Sequence, residues 1–267
     1  MQKYHWEGYM EPFRLYGNCF FAGSYPASTH LIDTGEGLIL LDAGYQEGCY
    51  AVVDAIWRLG FRPADVKYIV LSHGHIDHAA ATRALAELTG AEVFIGADDL
   101  RMVDGSRPEL TWAPEYDMAF PVAFRPDHLL RDGDRIRLGN TEIDCVATPG
   151  HTPGTFSFFW TVRAPEGDVR AGTMGGAGLN SLESDYIRKY GLEAEDWRGR
   201  FAASLERCRR EKVELFIGNH CWQNHTPERY ARLKSGDAGA FVDPGAWGAF
   251  LDASEAGFRN LLERDPL

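Results

Sequence analysis

The 267-residue chain is short of several things, and each shortage narrows what the protein can be. It has no apolar run long enough to span a bilayer, so no transmembrane anchor or membrane partner is expected. Residues 1–10 are polar and aromatic, without the basic-then-apolar order of a secretory leader. The expected location is the cytoplasm, or the periplasm or exterior if a leader has been removed. Positive charge is scarce: 27 Lys and Arg stand against 39 Asp and Glu, a formal net charge of −12. A nucleic-acid partner wants a basic surface and is not expected. The five cysteines, at 19, 49, 145, 208 and 221, are odd in number and form no Cys-x-x-Cys pair. A disulfide framework is not expected on that count, and reduced, buried thiols are. Internal repeats, low-complexity tails and interdomain linkers are also missing. Residues 1–267 therefore read as a single domain of ordinary globular composition, 45% hydrophobic and 25% charged.

What is present is concentrated in one stretch. Val66 to Leu71 is a short apolar, β-branched-rich run that reads as a buried strand. Ser72-His73-Gly74-His75-Ile76-Asp77-His78 follows at once, leading into an Ala/Leu-rich helical segment at 79–88. His73 and His75 are two apart and share a side if the extended backbone continues. Asp77 and His78 sit where the helix starts and can turn back to the same spot. Gly74 is read as the residue that allows a tight turn. The alternative is a polar loop with solvent-exposed histidines. Imidazoles and a carboxylate packed this densely suit zinc, with iron or manganese as competitors.

Along the rest of the chain, strands are expected over residues 13–22, 30–33, 37–44 and 92–96. Helices are expected at 47–59 and as a turn at 97–103. Residues 104–124 show no periodicity and carry Trp112, Tyr116, Phe120 and Phe124. A loop of this length is a candidate wall or lid. Trp112 and Tyr116 fit a wall or a local core equally, whereas Phe120 and Phe124 are assigned to core. Strands follow at 135–138, 141–147, 156–162 and 168–173. The strand at 141–147 ends in Thr148-Pro149-Gly150-His151-Thr152, with one histidine in a Pro/Gly-locked loop. A helix at 195–212 precedes strand 213–220, which ends in His220, with His225 as its rival. Thr226 is expected to cap a helix with Pro227 at its first position, and Asp243 to cap the last helix.

The His-x-His-x-Asp-His motif after a hydrophobic strand, with Pro-Gly-His-Thr downstream, resembles the signature of the metallo-β-lactamase superfamily. The resemblance implies an α/β fold, a four-layer αβ/βα sandwich with a metal site at one edge of two sheets. It is closest to the third subclass of zinc metallo-β-lactamases and extends over roughly residues 11–260, including the stretches 11–18, 129–134 and 241–245. It implies two Zn²⁺ per chain, one held by His73, His75 and His151, the other by Asp77, His78 and His220. Two such ions share a hydroxide that attacks a carbonyl, with Asp77 orienting it or passing a proton to the leaving group. Asp42, at the end of strand 37–44, is implied to sit beneath the metals, or is a simple turn aspartate. Thr173, Tyr25 and Trp112 are candidate substrate contacts, and Trp6 lies in a segment that could reach the cleft.

Many superfamily hydrolases carry a metal-bridging aspartate after the strand at 168–173, and Gly172 stands where it is looked for. That departure favours hydrolysis of a β-lactam or other cyclic amide. The alternative is another acyl substrate, such as a thioester, lactone or acyl-amide. A redox di-iron protein and a non-catalytic metal binder are the remaining readings. The first lacks its usual Glu ligand and flavin module. The second sits poorly with a ligand set that leaves room for water.

Overall fold

The computed structural model describes residues 8–267, so Trp6 lies outside the described residues. Among these residues the chain forms two β-sheets. The first has seven strands in chain order: β1 (Phe13–Tyr16), β2 (Cys19–Phe21), β3 (His30–Asp33), β4 (Leu38–Leu41), β5 (Val66–Val70), β6 (Glu92–Gly96) and β7 (His128–Leu130). Its first half is antiparallel, and from β4 onward the pairs are parallel. The second sheet runs β12 (Leu215–Phe216), β11 (Val169–Thr173), β10 (Phe156–Val162), β9 (Thr141–Ala147) and β8 (Arg135–Leu138).

The central strands are apolar on both faces because both faces are covered. In β4, Ile39 and Leu41 face the second sheet, where they meet Phe158, Trp160 and Ile143. Leu38 and Leu40 point the other way, into a core shared with α1 (Cys49–Arg58) and α3 (Thr82–Thr89). The second sheet repeats the pattern: Phe158 and Trp160 face inward, and Phe159 packs with α6 (Trp197–Cys208) and α8 (Ala246–Arg264). Helix, sheet, sheet and helix layers result, as expected. Among the described residues no helix is long and apolar enough to cross a membrane.

Several boundaries differ from the sequence expectation. The helix expected at 79–88 is two pieces, α2 (Ile76–Ala79) and α3, so Asp77 and His78 are themselves in the first helical turn. α4 (Leu100–Val103) follows a 3-10 turn. Strand β7 and α5 (Ser184–Tyr190) were not expected. The strand assigned to 213–220 shrinks to Leu215–Phe216, because it pairs with β11 only through Ala171 and Gly172 before turning into the site. α7 (Thr226–Lys234) begins at Thr226, whose hydroxyl donates to Asn224 Oδ1 at 2.6 Å, so Thr226 is not the cap. Asp243 accepts the Gly245 N–H just ahead of α8. Phe120 is 54% exposed rather than core, whereas Phe124 packs against the core. All five cysteines are free, four of them buried.

Candidate metal centre

The motif occupies the carboxyl end of β5 and the start of α2. His75 is still extended (φ −69°, ψ 153°) and is followed at once by the helical turn holding Asp77 and His78. Gly74 is not in a glycine-only conformation. A Cβ there would stand 3.0 Å from Met102 Cβ, a tight fit that crowds any side chain, and the Gly74 N–H donates to Asp99 Oδ2 at 2.8 Å.

Five histidine rings crowd together at this edge. Ring centroids are 4.8 Å apart for His73 and His75, 4.4 Å for His73 and His78, and 4.7 Å for His73 and His151. His220 lies 5.0 Å from His78. The ligand atoms of His73, His75 and His151 all fall within 4.8 Å of one another, and so do those of His73, Asp77 and His78. His220 Nε2 is 3.7 Å from Asp77 Oδ2. Neither His220 nor its rival His225 belongs to these two groups, but His220 approaches Asp77 and His78 whereas His225 is exposed on the wall of the adjoining cavity.

Hydrogen bonds to the rear nitrogens orient these rings. His151 Nδ1 lies 2.8 Å from Gly178 O and His220 Nδ1 2.6 Å from Pro26 O. A carbonyl only accepts, so each Nδ1 carries the proton and each Nε2 keeps its lone pair for the centre. Ser72 Oγ donates to Asp42 Oδ2 (2.8 Å) and so accepts from His73 Nδ1 (3.0 Å). Asp42 Oδ2 also takes His78 Nδ1 at 2.9 Å, and Asp42 Oδ1 takes the Ser72 N–H. Asp42 is therefore no idle turn residue; it ties β4 to two rings of the cluster.

Burial and charge divide the histidines. Burial, reinforced by neighbouring imidazoles, holds His73 and His75 well below the usual histidine range. Burial also lowers His220, and lowers His151 to about 4. Burial opposes charge on His78 as well, but the Asp77 and Asp42 carboxylates outweigh it and push it up to about 10. Burial would raise Asp77, yet His78 and the other histidines hold it far below the carboxylate range.

The cluster fits a cation. The Nε2 atoms of His73, His75 and His78 are buried and have no hydrogen-bond partner among the described residues. His78 Nε2 lies 3.2 Å from Asp77 Oδ2, but without hydrogen-bond geometry, as expected of atoms converging on a shared point. An orphaned buried polar atom costs about 1–3 kcal/mol. Three in one cluster would take a large share of the roughly 5–15 kcal/mol that holds a domain folded. A divalent metal removes that cost.

Sequence reasoning missed Asp99. It is fully buried, accepts from Gly74 N (2.8 Å), Gly154 N (2.7 Å) and Thr152 Oγ1 (2.7 Å), and so clamps the two histidine loops together. Burial raises it to about 6 despite these donors. Trp222 was also missed. It stacks on His220 with centroids 4.3 Å apart and planes at 11°, yet is 51% exposed.

A cavity of about 1360 Å³ opens onto the cluster. Tyr25 (41% exposed), Trp112 and Tyr116 line it. Trp112 is both wall and core: it adopts φ 70°, stacks on Tyr186 at 4.6 Å and stands 6.0 Å from His75. Thr173 is buried at the end of β11 and does not line the cavity. Gly172 is not the origin of a metal-facing side chain, since its Cβ would strike Val213 and Phe159 on the helix side at 2.6 and 2.7 Å. By strand alternation the inward position is Thr173, which also lacks a carboxylate.

Residues 22–163 match the family model of the metallo-beta-lactamase superfamily. The native metallo-beta-lactamase FEZ-1 from Legionella gormanii superposes with a TM-score of 0.86 at 25% identity, covering 96% of this chain and 97% of that one. BJP-1, a subclass B3 metallo-beta-lactamase of Bradyrhizobium japonicum, gives 0.83 at 26% identity, covering 97% and 96%. Curated relatives match in part. A probable metallo-hydrolase of Burkholderia pseudomallei is 30% identical over 69% of this chain and 63% of its own length. A hydroxyacylglutathione hydrolase of Chelativorans sp. is 28% identical over 45% and 37%. The chain thus spans less than two thirds of the length of these relatives. The chain belongs to the metallo-beta-lactamase superfamily.

Proposed function

We propose that the protein is a single-domain, dinuclear zinc hydrolase that opens a β-lactam or another cyclic amide. The observation that carries this reading is the set of buried, partnerless imidazole Nε2 atoms converging beside Asp77 at the foot of a large cavity. His73, His75 and His151 would hold one ion, and Asp77, His78 and His220 the other. Bound zinc supplies Lewis acidity and makes water acidic enough to be a nucleophile near neutral pH. The chain's own residues do the rest. Asp42, Ser72, Gly178 O and Pro26 O fix the rings so that no reorientation is needed when a substrate arrives. Asp77, kept ionised by His78 and lying on the cavity wall, would orient the attacking water by accepting its hydrogen bond.

A second reading, hydrolysis of a thioester, lactone or acyl-amide, is favoured by the charge of the cavity. Among the described residues its one Lys or Arg is Arg229, which bonds Asn224 O, Ala240 O and Asp243, at 2.8, 2.9 and 2.8 Å, and has its charge paired by Asp243. Among the described residues no unpaired Lys or Arg lines the cavity to meet the carboxylate that β-lactam antibiotics carry. The test is hydrolysis of a chromogenic cephalosporin and a carbapenem by the zinc-loaded protein, with a chelated sample and a His151→Ala variant as controls. Turnover lost in both controls supports the lactam reading. A protein with two bound metals that leaves both lactams intact sinks it.

A further inference from the structure

The cavity does not end at the histidine cluster. It continues along α8, where Ala246, Ala249, Ala253 and Gly257 line it. Spaced three or four apart, they occupy one face of the helix. Trp247, Leu251, Phe258 and Leu261 anchor another face in the core. Small side chains at four successive turns keep this groove open. Leu179 and Phe250 add apolar surface, and the Ser254 hydroxyl in the wall is spent on Phe250 O at 2.9 Å. Arg229 is paired with Asp243 and offers the groove no uncompensated charge. At about 1360 Å³ the whole cavity exceeds the roughly 300–1,000 Å³ of a pocket for a drug-sized ligand. At its inner end stands His75, buried, with Nε2 unpartnered.

We propose that the substrate carries an uncharged, extended apolar tail that lies in this groove against α8 while its carbonyl sits at the histidine cluster. The proposal rests on the reading of that cluster as an acyl-bond hydrolase, and it extends that reading to a class of acyl group. A short, compact substrate would leave the groove filled with water against apolar walls. A tail of several methylenes would cover those walls and displace it.

The test is kcat/KM of the zinc-loaded full chain on 4-nitrophenyl acetate, butyrate and octanoate. Complete burial is worth roughly fourfold per methylene. The octanoate-to-butyrate ratio is expected to be at least about tenfold, because the groove is open on one side. Ala249→Phe and Ala253→Phe, which fill the groove, should bring the ratio towards one. Ala256→Phe, on the exposed surface of α8 away from the cavity, should keep it. A wild-type ratio near one, or a ratio indifferent to Ala253→Phe, overturns the groove and leaves the hydrolase reading intact. If no ester is turned over, calorimetry with decanamide and acetamide reads the groove alone. Decanamide binding at least about tenfold tighter than acetamide, and lost in Ala253→Phe, supports the groove although hydrolysis has failed; equal or absent binding overturns it.

Discussion

Of the three segments that bring histidines to the site, the first and the last are built in different ways. The loop after β5 is held by buried carboxylates: Asp42 grips Ser72 and His78 from one side, and Asp99 grips Gly74 from the other. The segment after β12 is held by a backbone carbonyl and a stacked ring, Pro26 O behind His220 and Trp222 over it. A buried carboxylate is expensive to place and expensive to remove, so the first loop is preorganised before any metal arrives. Among the described residues the second has no carboxylate behind it: its buried ties are neutral amides, Asn219 Nδ2 to Gly175 O (2.7 Å) and Asn224 Nδ2 to Phe216 O (3.1 Å), which makes it the more adaptable of the two. That contrast assigns a rigid half and an adaptable half to one centre.

The largest expected effect comes from breaking the rigid half. Asp42→Ala leaves His78 and Ser72 facing an empty space, and should destabilise the metal-free protein by about 3–5 kcal/mol in urea denaturation. In Asp42→Asn the shape survives and the charge does not. Zinc affinity should then fall about 10–100-fold in a chelator competition, the size expected for a group one step behind a ligand.

Asp99→Ala comes next. It removes the acceptor for two backbone N–H groups and the Thr152 hydroxyl, unlinking the loops of His75 and His151. A loss of about 1–3 kcal/mol for each donor left unpaired is expected, tempered by any water that enters. Urea midpoints with and without zinc would show it.

pH separates the histidines by sign. His73, His75, His151 and His220 are neutral in the fold, and so is His30, which burial lowers to about 3. Unfolded, they take up protons near 6.5, whereas folded His151 waits until about 4. Between these values the unfolded chain binds more protons, so the metal-free protein should weaken as pH falls. The slope is about 1.4 kcal/mol per pH unit for each proton of difference. His78 has the opposite sign. Its stabilisation is complete below 6.5 and is lost as pH rises through about 10. A urea midpoint that rises from pH 4 to 6.5 and declines towards 10 is expected.

The smallest effect belongs to the adaptable half. Trp222→Ala should cost little stability, because the ring is half exposed, and about 0.5–1.5 kcal/mol in transition-state stabilisation from the lost stack. A change in kcat/KM larger than that in stability would mark Trp222 as part of the working site.

The same contrast explains what the sequence could disclose. The first loop is local: strand, three histidines, aspartate and helix are contiguous, and chemistry and periodicity agree. His151 and His220 were legible because each follows a strand and turn residues or a strand end mark its position. Asp99 was not, because nothing in Gly96-Ala97-Asp98-Asp99-Leu100 announces partners 53 and 55 residues away. Strand β7, three residues long, is hidden at the end of an aperiodic stretch, and its pairing with β6 is a tertiary fact. Gly172 shows the limit of reading a strand without its faces, since one residue of register separates the core from the site.

Zinc content per chain is the most direct measurement, made by elemental analysis on the wild type, His151→Ala and His220→Ala after reconstitution and removal of excess metal. Two ions in the wild type, falling to about one in each variant, is the expected result. One ion or none in the wild type, or two ions still held by both variants, would contradict a dinuclear centre assembled from the segments after β5, β9 and β12.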